Sequence, residues 1–243
     1  MHHLQKIGGI AALIEAVTFV FGFWVYLTVV ESADYGSRDI PPEQNAAFLV
    51  DNQTIMYVWN LIIYVVFGIV LVVLALALHE RLTAASPAIA RVATAFGLIW
   101  AGLVIASGMV ANIGTSVVVD LYGTDPAQAG AAWSTLDFVV NGLGGGNEIV
   151  GGLWVLLVSW AALRAGGSAR ALHVLGVVIG VAGLVTAIPA LEVIGAVFGL
   201  GLIVWFVWLG IVMLRGVPSA ATSAPGTFGV NPAEGVALAH GTD

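Results

Sequence analysis

The sequence predicts an all-α polytopic membrane protein: a bundle of six transmembrane helices with the N and C termini cytoplasmic. Three observations carry that expectation. Hydrophobic residues make up 60% of the 243 and charged residues only 9%, with a mean hydropathy of +1.03, whereas a soluble domain carries roughly 25% charged residues. The apolar residues fall into six runs, each able at about 1.5 Å per residue to approach a hydrocarbon core of roughly 30 Å. The runs also lack the period-two alternation of barrel strands, and a helix alone satisfies its backbone in lipid without closing a barrel.

The same balance excludes a disordered chain, a basic nucleic-acid-binding domain and an ordinary soluble enzyme. The chain has no cysteine, which excludes disulfides, thiolate metal sites, cysteine nucleophiles and iron–sulfur clusters.

The first run, Ile7–Val30, is longer than a signal-peptide core of about 7–15 residues, and no small-x-small cleavage site follows it. It reads as a retained helix. Thr54–Leu78 and Val92–Val119 are the second and third spans. Glu148–Leu163 and Ala171–Ile188 stand near the lower length limit, and Leu191–Leu214 is the sixth. The connections Glu31–Gln53 and Asp120–Gly146 are polar and carry turn residues, Pro41-Pro42 and Gly123-Thr124-Asp125-Pro126. Within the second, Ala127–Asn141 has the composition of an amphipathic or re-entrant helix ahead of the glycine run Gly144–Gly146. Beyond Arg215 the chain turns Pro-, Gly-, Ala- and Ser-rich. The expected organisation is a membrane domain over 1–215 and a disordered cytoplasmic tail over 216–243.

Orientation follows from the basic residues. Lys6, Arg81, Arg91, Arg164, Arg170 and Arg215 fall on one side of the predicted spans, and only Arg38 on the other. The positive-inside rule puts the side with six in the cytoplasm. Acidic residues collect on the opposite side, among them Glu31, Asp34, Asp137 and Glu148.

Two segments stand out as recognisable text: Trp59–Leu82 (WNLIIYVVFGIVLVVLALALHERL), and Gly151–Leu184, where a Trp-Val-Leu-Leu helix leads through Arg164 and Arg170 to Leu175-Gly176. Through them the stretch from Gly8 to Arg215 resembles small bacterial membrane proteins of domain of unknown function family 4386. The resemblance implies a bacterial cytoplasmic (inner) membrane setting and a six-helix bundle. It brings no catalytic or binding residues with it.

Glu15 is the sharpest candidate for chemistry. It lies about eight residues into the first span, hence roughly 12 Å deep. An ionisable residue there costs about 2.5–3.5 kcal/mol on insertion scales and marks a functional-site hypothesis. Gly8, Ala11, Ala12, Thr18, Gly22 and Tyr26 share its helical face, a small and partly polar stripe suited to helix contact. Interhelical hydrogen bonding is its bland alternative. A second set lies nearer the outer ends of the spans. Tyr57, Asn60 and Tyr64 follow i, i+3, i+7 spacing, and Gly108, Asn112, Thr115 and Ser116 share a face of the third span. Asn147 and Glu148 stand at the mouth of the fourth span, with Asp137 and Asn141 just before, and Glu192 at that of the sixth. If these faces converge, they form a polar, acidic pocket open to the outside. The alternative is ordinary interhelical bonding, worth about 0.6 kcal/mol per bond on average.

Other signals read as structure. The glycines around Gly144 lack the preceding strand and following Lys-Ser/Thr of a phosphate loop. Gly176/Gly180 and Gly195/Gly199 have the four-residue spacing that lets helices approach closely, within the bundle or against another membrane subunit or a second copy. His79 and His173 fall at helix ends, where a shared haem cavity is not expected. Trp24, Trp59, Trp160, Trp205 and Trp208 suit the membrane interface, and Trp100 and Trp154 suit packing.

The expectation is therefore a non-enzymatic membrane protein, without cofactor or metal, whose outward pocket binds or passes a small cation or polar solute. Glu15, Asn60, Tyr64, Asn112, Asn147, Glu148 and Glu192 are its candidate residues. The alternative is an accessory protein whose polar residues are structural. A third reading is a haem- or quinone-linked electron-transfer subunit.

Overall fold

The computed structural model describes residues 2–145, 149–166 and 169–215. Among them every regular element is helical. Helix α1 (His2–Val25) passes through a π-helical turn, Tyr26–Val30, into a short 3-10 turn. Two short helices, α2 (Pro42–Asp51) and α3 (Gln53–Asn60), follow. A second π-helical turn, Leu61–Val66, joins α3 to α4 (Phe67–Thr83). The longest helix is α5 (Pro87–Tyr122). Then come α6 (Pro126–Val140), the kinked turn Asn141–Gly145, α7 (Ile149–Arg164), α8 (Arg170–Val185) and α9 (Gly195–Leu214).

Local chemistry sets several of these ends. Pro42, Pro87 and Pro126 occupy first-turn positions, where the missing N–H has no partner to lose. Asp125 caps α6 by accepting the Gln128 N–H at 3.0 Å. After α7, Gly166 takes φ +71, the left-handed conformation that lets a chain leave a helix without a side-chain clash.

Five helical runs are long and apolar enough to cross a membrane: His3–Ala33, Gln53–Thr83, Pro87–Tyr122, Pro126–Arg164 and Gly195–Leu214. The sequence predicts six. The difference is α8, which is apolar but has 16 residues, about 24 Å at helical rise against a core of roughly 30 Å. It ends at Val185, three residues short of the expected Ala171–Ile188. The sixth predicted span likewise loses its start, because Pro189–Ile194 forms a 3-10 connection and α9 begins at Gly195. The first three spans run longer than expected. The expected tail, 216–243, lies outside the described residues.

The burial pattern is that of a membrane protein. Large apolar side chains face outward, as with Val17 (66% exposed) and Ile113 (69%). This apolar belt extends to Leu27 in the π-helical turn after α1, starts at Val58 on α3, reaches Val117 on α5 and resumes at Phe138 on α6. Inside the belt the core is ringed by aromatics. Phe67, Trp100, Trp154, Trp205 and Phe206 form a closed circuit, with successive ring centroids 5.1, 5.8, 5.9 and 5.3 Å apart and 6.5 Å from Phe206 back to Phe67. Trp205 is fully buried in this circuit near the middle of α9, not at the membrane interface where the sequence reading expects it. Beyond the belt a second, smaller core assembles from Val30, Ala46, Leu49, Met56, Val118, Ala129 and Trp133. The predicted polar connections thus fold into an outer cap built from α2, α6 and the ends of α1 and α5.

The glycine spacing is used inside the chain. A Cβ at Gly180 would stand 2.7 Å from the Gly152 carbonyl oxygen, and one at Gly176 would stand 2.6 Å from the Trp205 indole nitrogen. Gly199 faces Phe23 at 3.0 Å. These surfaces pack α8 on α7 and α9 on α1, so helix association here uses close backbone approach.

Candidate functional site

A cleft of about 540 Å³ opens where the outer cap meets the apolar belt. Its walls come from four stretches distant in sequence. The end of α1 and the following loop supply Tyr26, Glu31, Asp34 and Tyr35; the α3 region supplies Trp59, Asn60 and Tyr64. Helix α5 contributes Ala111 and Thr115, and α6 contributes Trp133, Asp137 and, just after it, Asn141. Its size falls within the roughly 300–1,000 Å³ of small-molecule sites.

Among the described residues two π-helical turns and one kink border this cleft: Tyr26 and Val30 belong to the first turn, Tyr64 to the second, and Asn141 to the kinked segment Asn141–Gly145. π-helix accounts for well under 1% of residues in globular proteins and appears mostly as single turns at functional sites. Each widened turn frees backbone groups and shifts the facing side chains out of register with the helix below. Asn141–Gly145 breaks the helix at Gly144, whose φ of +140 is closed to other residues without strain.

Hydrogen bonds hold the walls. Asn60 Nδ2 donates to Asn112 Oδ1 at 3.2 Å, and Asn112 Nδ2 donates to the Tyr57 carbonyl oxygen at 3.4 Å. This amide pair ties the end of α3, just before the second π-turn, to α5. The Trp59 indole N–H donates to the Gly22 carbonyl oxygen at 3.2 Å, bracing α3 against α1. Ser107 donates to the Val140 carbonyl oxygen at 3.3 Å, beside the kink. Trp133 Nε1 donates to the Tyr35 hydroxyl at 3.1 Å, and Asn141 Nδ2 to the Asp137 carboxylate at 3.0 Å. Burial pushes the Tyr35 phenol up to about 12 from its ordinary 10.0. The Trp133 hydrogen bond opposes that push, and the negative charge of Asp137 adds to it.

Three carboxylates, Glu31, Asp34 and Asp137, line the cleft, and no Lys or Arg does. Arg38 is close enough to act electrostatically on Asp137 but is not part of the wall. Among the described residues no group of three or more His, Asp or Glu is arranged to hold a metal ion.

Of the sequence candidates, the structure brings Asn60 and Tyr64 to the cleft and sets Asn112 directly behind Asn60. Asn147 and Glu148 lie outside the described residues. Glu192 falls in the 3-10 connection before α9, and its side chain is likewise outside them. Glu15 does turn into the bundle, with Ala11, Ala12 and Thr18 buried on the same face. It does not line this cleft. It sits one helical turn from Phe19, whose ring packs on Phe67 at 5.5 Å and on Phe206 at 6.1 Å, so the aromatic layer lies between Glu15 and the outer cavity. Both carboxyl oxygens are buried with no hydrogen-bond partner among the described residues. The buried indole nitrogens of Trp154 and Trp205 and the Ser159 hydroxyl share that condition. His79 Nδ1 meets the Thr94 hydroxyl at 2.8 Å, a local helix–helix contact.

The sequence reading missed Tyr35 and Trp133 as wall residues and treated Glu31 and Asp34 only as general outer-face charge, whereas Asp137 and Asn141, placed by it just before the fourth span, do line the cleft. The available signal was an acidic, aromatic pair of connections nearly free of basic residues.

A family model described as Domain of unknown function (DUF4386) matches residues 7–216. No curated protein and no solved structure matches the chain.

Proposed function

The chain belongs to this family of unknown function, DUF4386, and on that premise we propose that it is a non-enzymatic integral membrane protein of the bacterial inner membrane that binds a small cation or polar solute from the outer side. Six passes with both termini cytoplasmic are the topology that goes with this reading, with α8 as a short fifth pass and six of the seven basic residues on the inner side. The carrying observation is the convergence of two π-helical turns and a glycine kink on one acidic cleft. Packing alone does not call for rare helix geometry at two places on the same cavity, with a backbone kink at a third.

The cleft is a binding site rather than an open channel. One turn inward from Tyr64 lies Phe67, buried in the closed aromatic circuit, and passage of a solute requires that circuit to part. Trp59 and Trp133 sit in the walls and serve as reporters. Purified protein in lipid nanodiscs, titrated with inorganic cations, organic cations and neutral polar solutes, is expected to show a saturable change in tryptophan fluorescence for at least one class. That change should weaken on Tyr64→Ala. Silence for every class would remove the reading.

A further inference from the structure

We infer that the cleft takes an organic ammonium ion, held by aromatic faces and balanced by carboxylates, rather than a metal ion or a neutral solute; this rests on the cleft being a binding site at all. The first argument is the wall chemistry. Five aromatic residues line the cavity: Tyr26, Tyr35, Trp59, Tyr64 and Trp133. Both indole N–H groups are already donating, Trp59 to the Gly22 carbonyl oxygen at 3.2 Å and Trp133 to the Tyr35 hydroxyl at 3.1 Å. Those two side chains therefore offer an occupant carbon and π surface rather than donors. An electron-rich wall whose indole donors are already engaged suits a cation whose charge is spread over C–H groups.

The second argument is charge. Glu31, Asp34 and Asp137 bring three negative charges to the wall with no cation among the lining residues. Arg38, acting on Asp137, offsets one of them. The third is geometry. Hard metal ions gather about six to eight oxygens at short range, and among the described residues no three His, Asp or Glu side chains come together to hold one. A cavity of about 540 Å³ also far exceeds what a bare ion fills, and matches a small molecule. Dispersed carboxylates around an aromatic box fit a soft cation of several heavy atoms.

The same chemistry is offered by a free amine in the outer solution and by the ethanolamine or choline headgroup of a lipid. The test compares choline and tetramethylammonium with dimethylbutanol, the uncharged carbon isostere of choline, and with sodium and calcium chloride at matched ionic strength. The protein is held in nanodiscs of phosphatidylglycerol. Choline and tetramethylammonium are expected to quench cleft tryptophan fluorescence saturably, and the isostere to bind at least about tenfold more weakly. Asp34→Asn should weaken choline by about tenfold without disturbing the fold. Asp34 holds φ +52, which Asn also adopts readily, and it is exposed. Repeating the titration with phosphatidylethanolamine in the disc separates the sources: competition identifies the headgroup, and an unchanged affinity identifies a free amine. Equal binding of the isostere, or displacement of choline by calcium, would overturn the assignment while leaving the cleft a binding site. No signal from any solute would remove both.

Discussion

The indole N–H of Trp133 donates to the phenol oxygen of Tyr35 at 3.1 Å, joining α6 to the loop after α1 across 98 residues of chain. The rings meet edge to face at 5.9 Å, and Phe48 stacks on Tyr35 at 4.5 Å. This cluster holds the outer cap over the cleft.

Tyr35→Phe leaves the Trp133 indole without its acceptor, so the cap should lose about 1–3 kcal/mol, read as a lower thermal midpoint in nanodiscs. The phenol also makes the cap sensitive to alkali. Its folded-state value of about 12 lies above the ordinary 10.0. The associated stability is therefore fully present below pH 10 and is lost as pH rises through about 12. Ultraviolet phenolate titration should show one late-titrating tyrosine in the native protein that is missing in Tyr35→Phe. Identical titration curves would contradict this assignment.

Close backbone packing makes a second prediction. A Cβ at Gly180 would stand 2.7 Å from the Gly152 oxygen and 2.8 Å from the Leu156 backbone nitrogen, atoms that cannot swing aside. Gly180→Ala should cost about 1–3 kcal/mol by forcing α7 from α8. At Gly102 nothing lies within 4 Å of the added atom, and Gly102→Ala should be neutral or stabilising by up to about 1 kcal/mol. Thermal unfolding of the two variants side by side checks the contrast; equal losses would count against it.

Glu15 carries a stability signature of its own. Its carboxyl is fully buried without a partner among the described residues, so replacing it with an apolar side chain of similar volume removes an unsatisfied group. Glu15→Met should raise stability by about 1–3 kcal/mol, while Glu15→Gln, still polar, should not. If Glu15→Met melts below the native protein, the carboxyl has a stabilising partner after all.

Orientation is testable because the chain has no native cysteine. Thr124→Cys, on the exposed turn before α6, should react with an impermeant maleimide added to intact cells. Ala84→Cys, between α4 and α5, should react only after permeabilisation. The mirror result would reverse the proposed topology.

Local sequence determined much of this molecule. Hydropathy over about twenty residues marks a span, and helical spacing marks a face. Hence the membrane helices, the inward turn of Glu15, the shared edge of Asn60 and Tyr64, and a helix near Ala127–Asn141 were all legible. Tertiary structure decided the rest. Which polar residues meet depends on how far each helix rises past its neighbours, and the π-turns change that register by amounts no propensity encodes. Tyr35 and Trp133 became partners because the outer connections fold into a second core. Glu15 was separated from the cleft because aromatic side chains from α4, α5, α7 and α9 close a circuit above it. Sequence periodicity constrains one helix at a time; the cavity belongs to the packing of several.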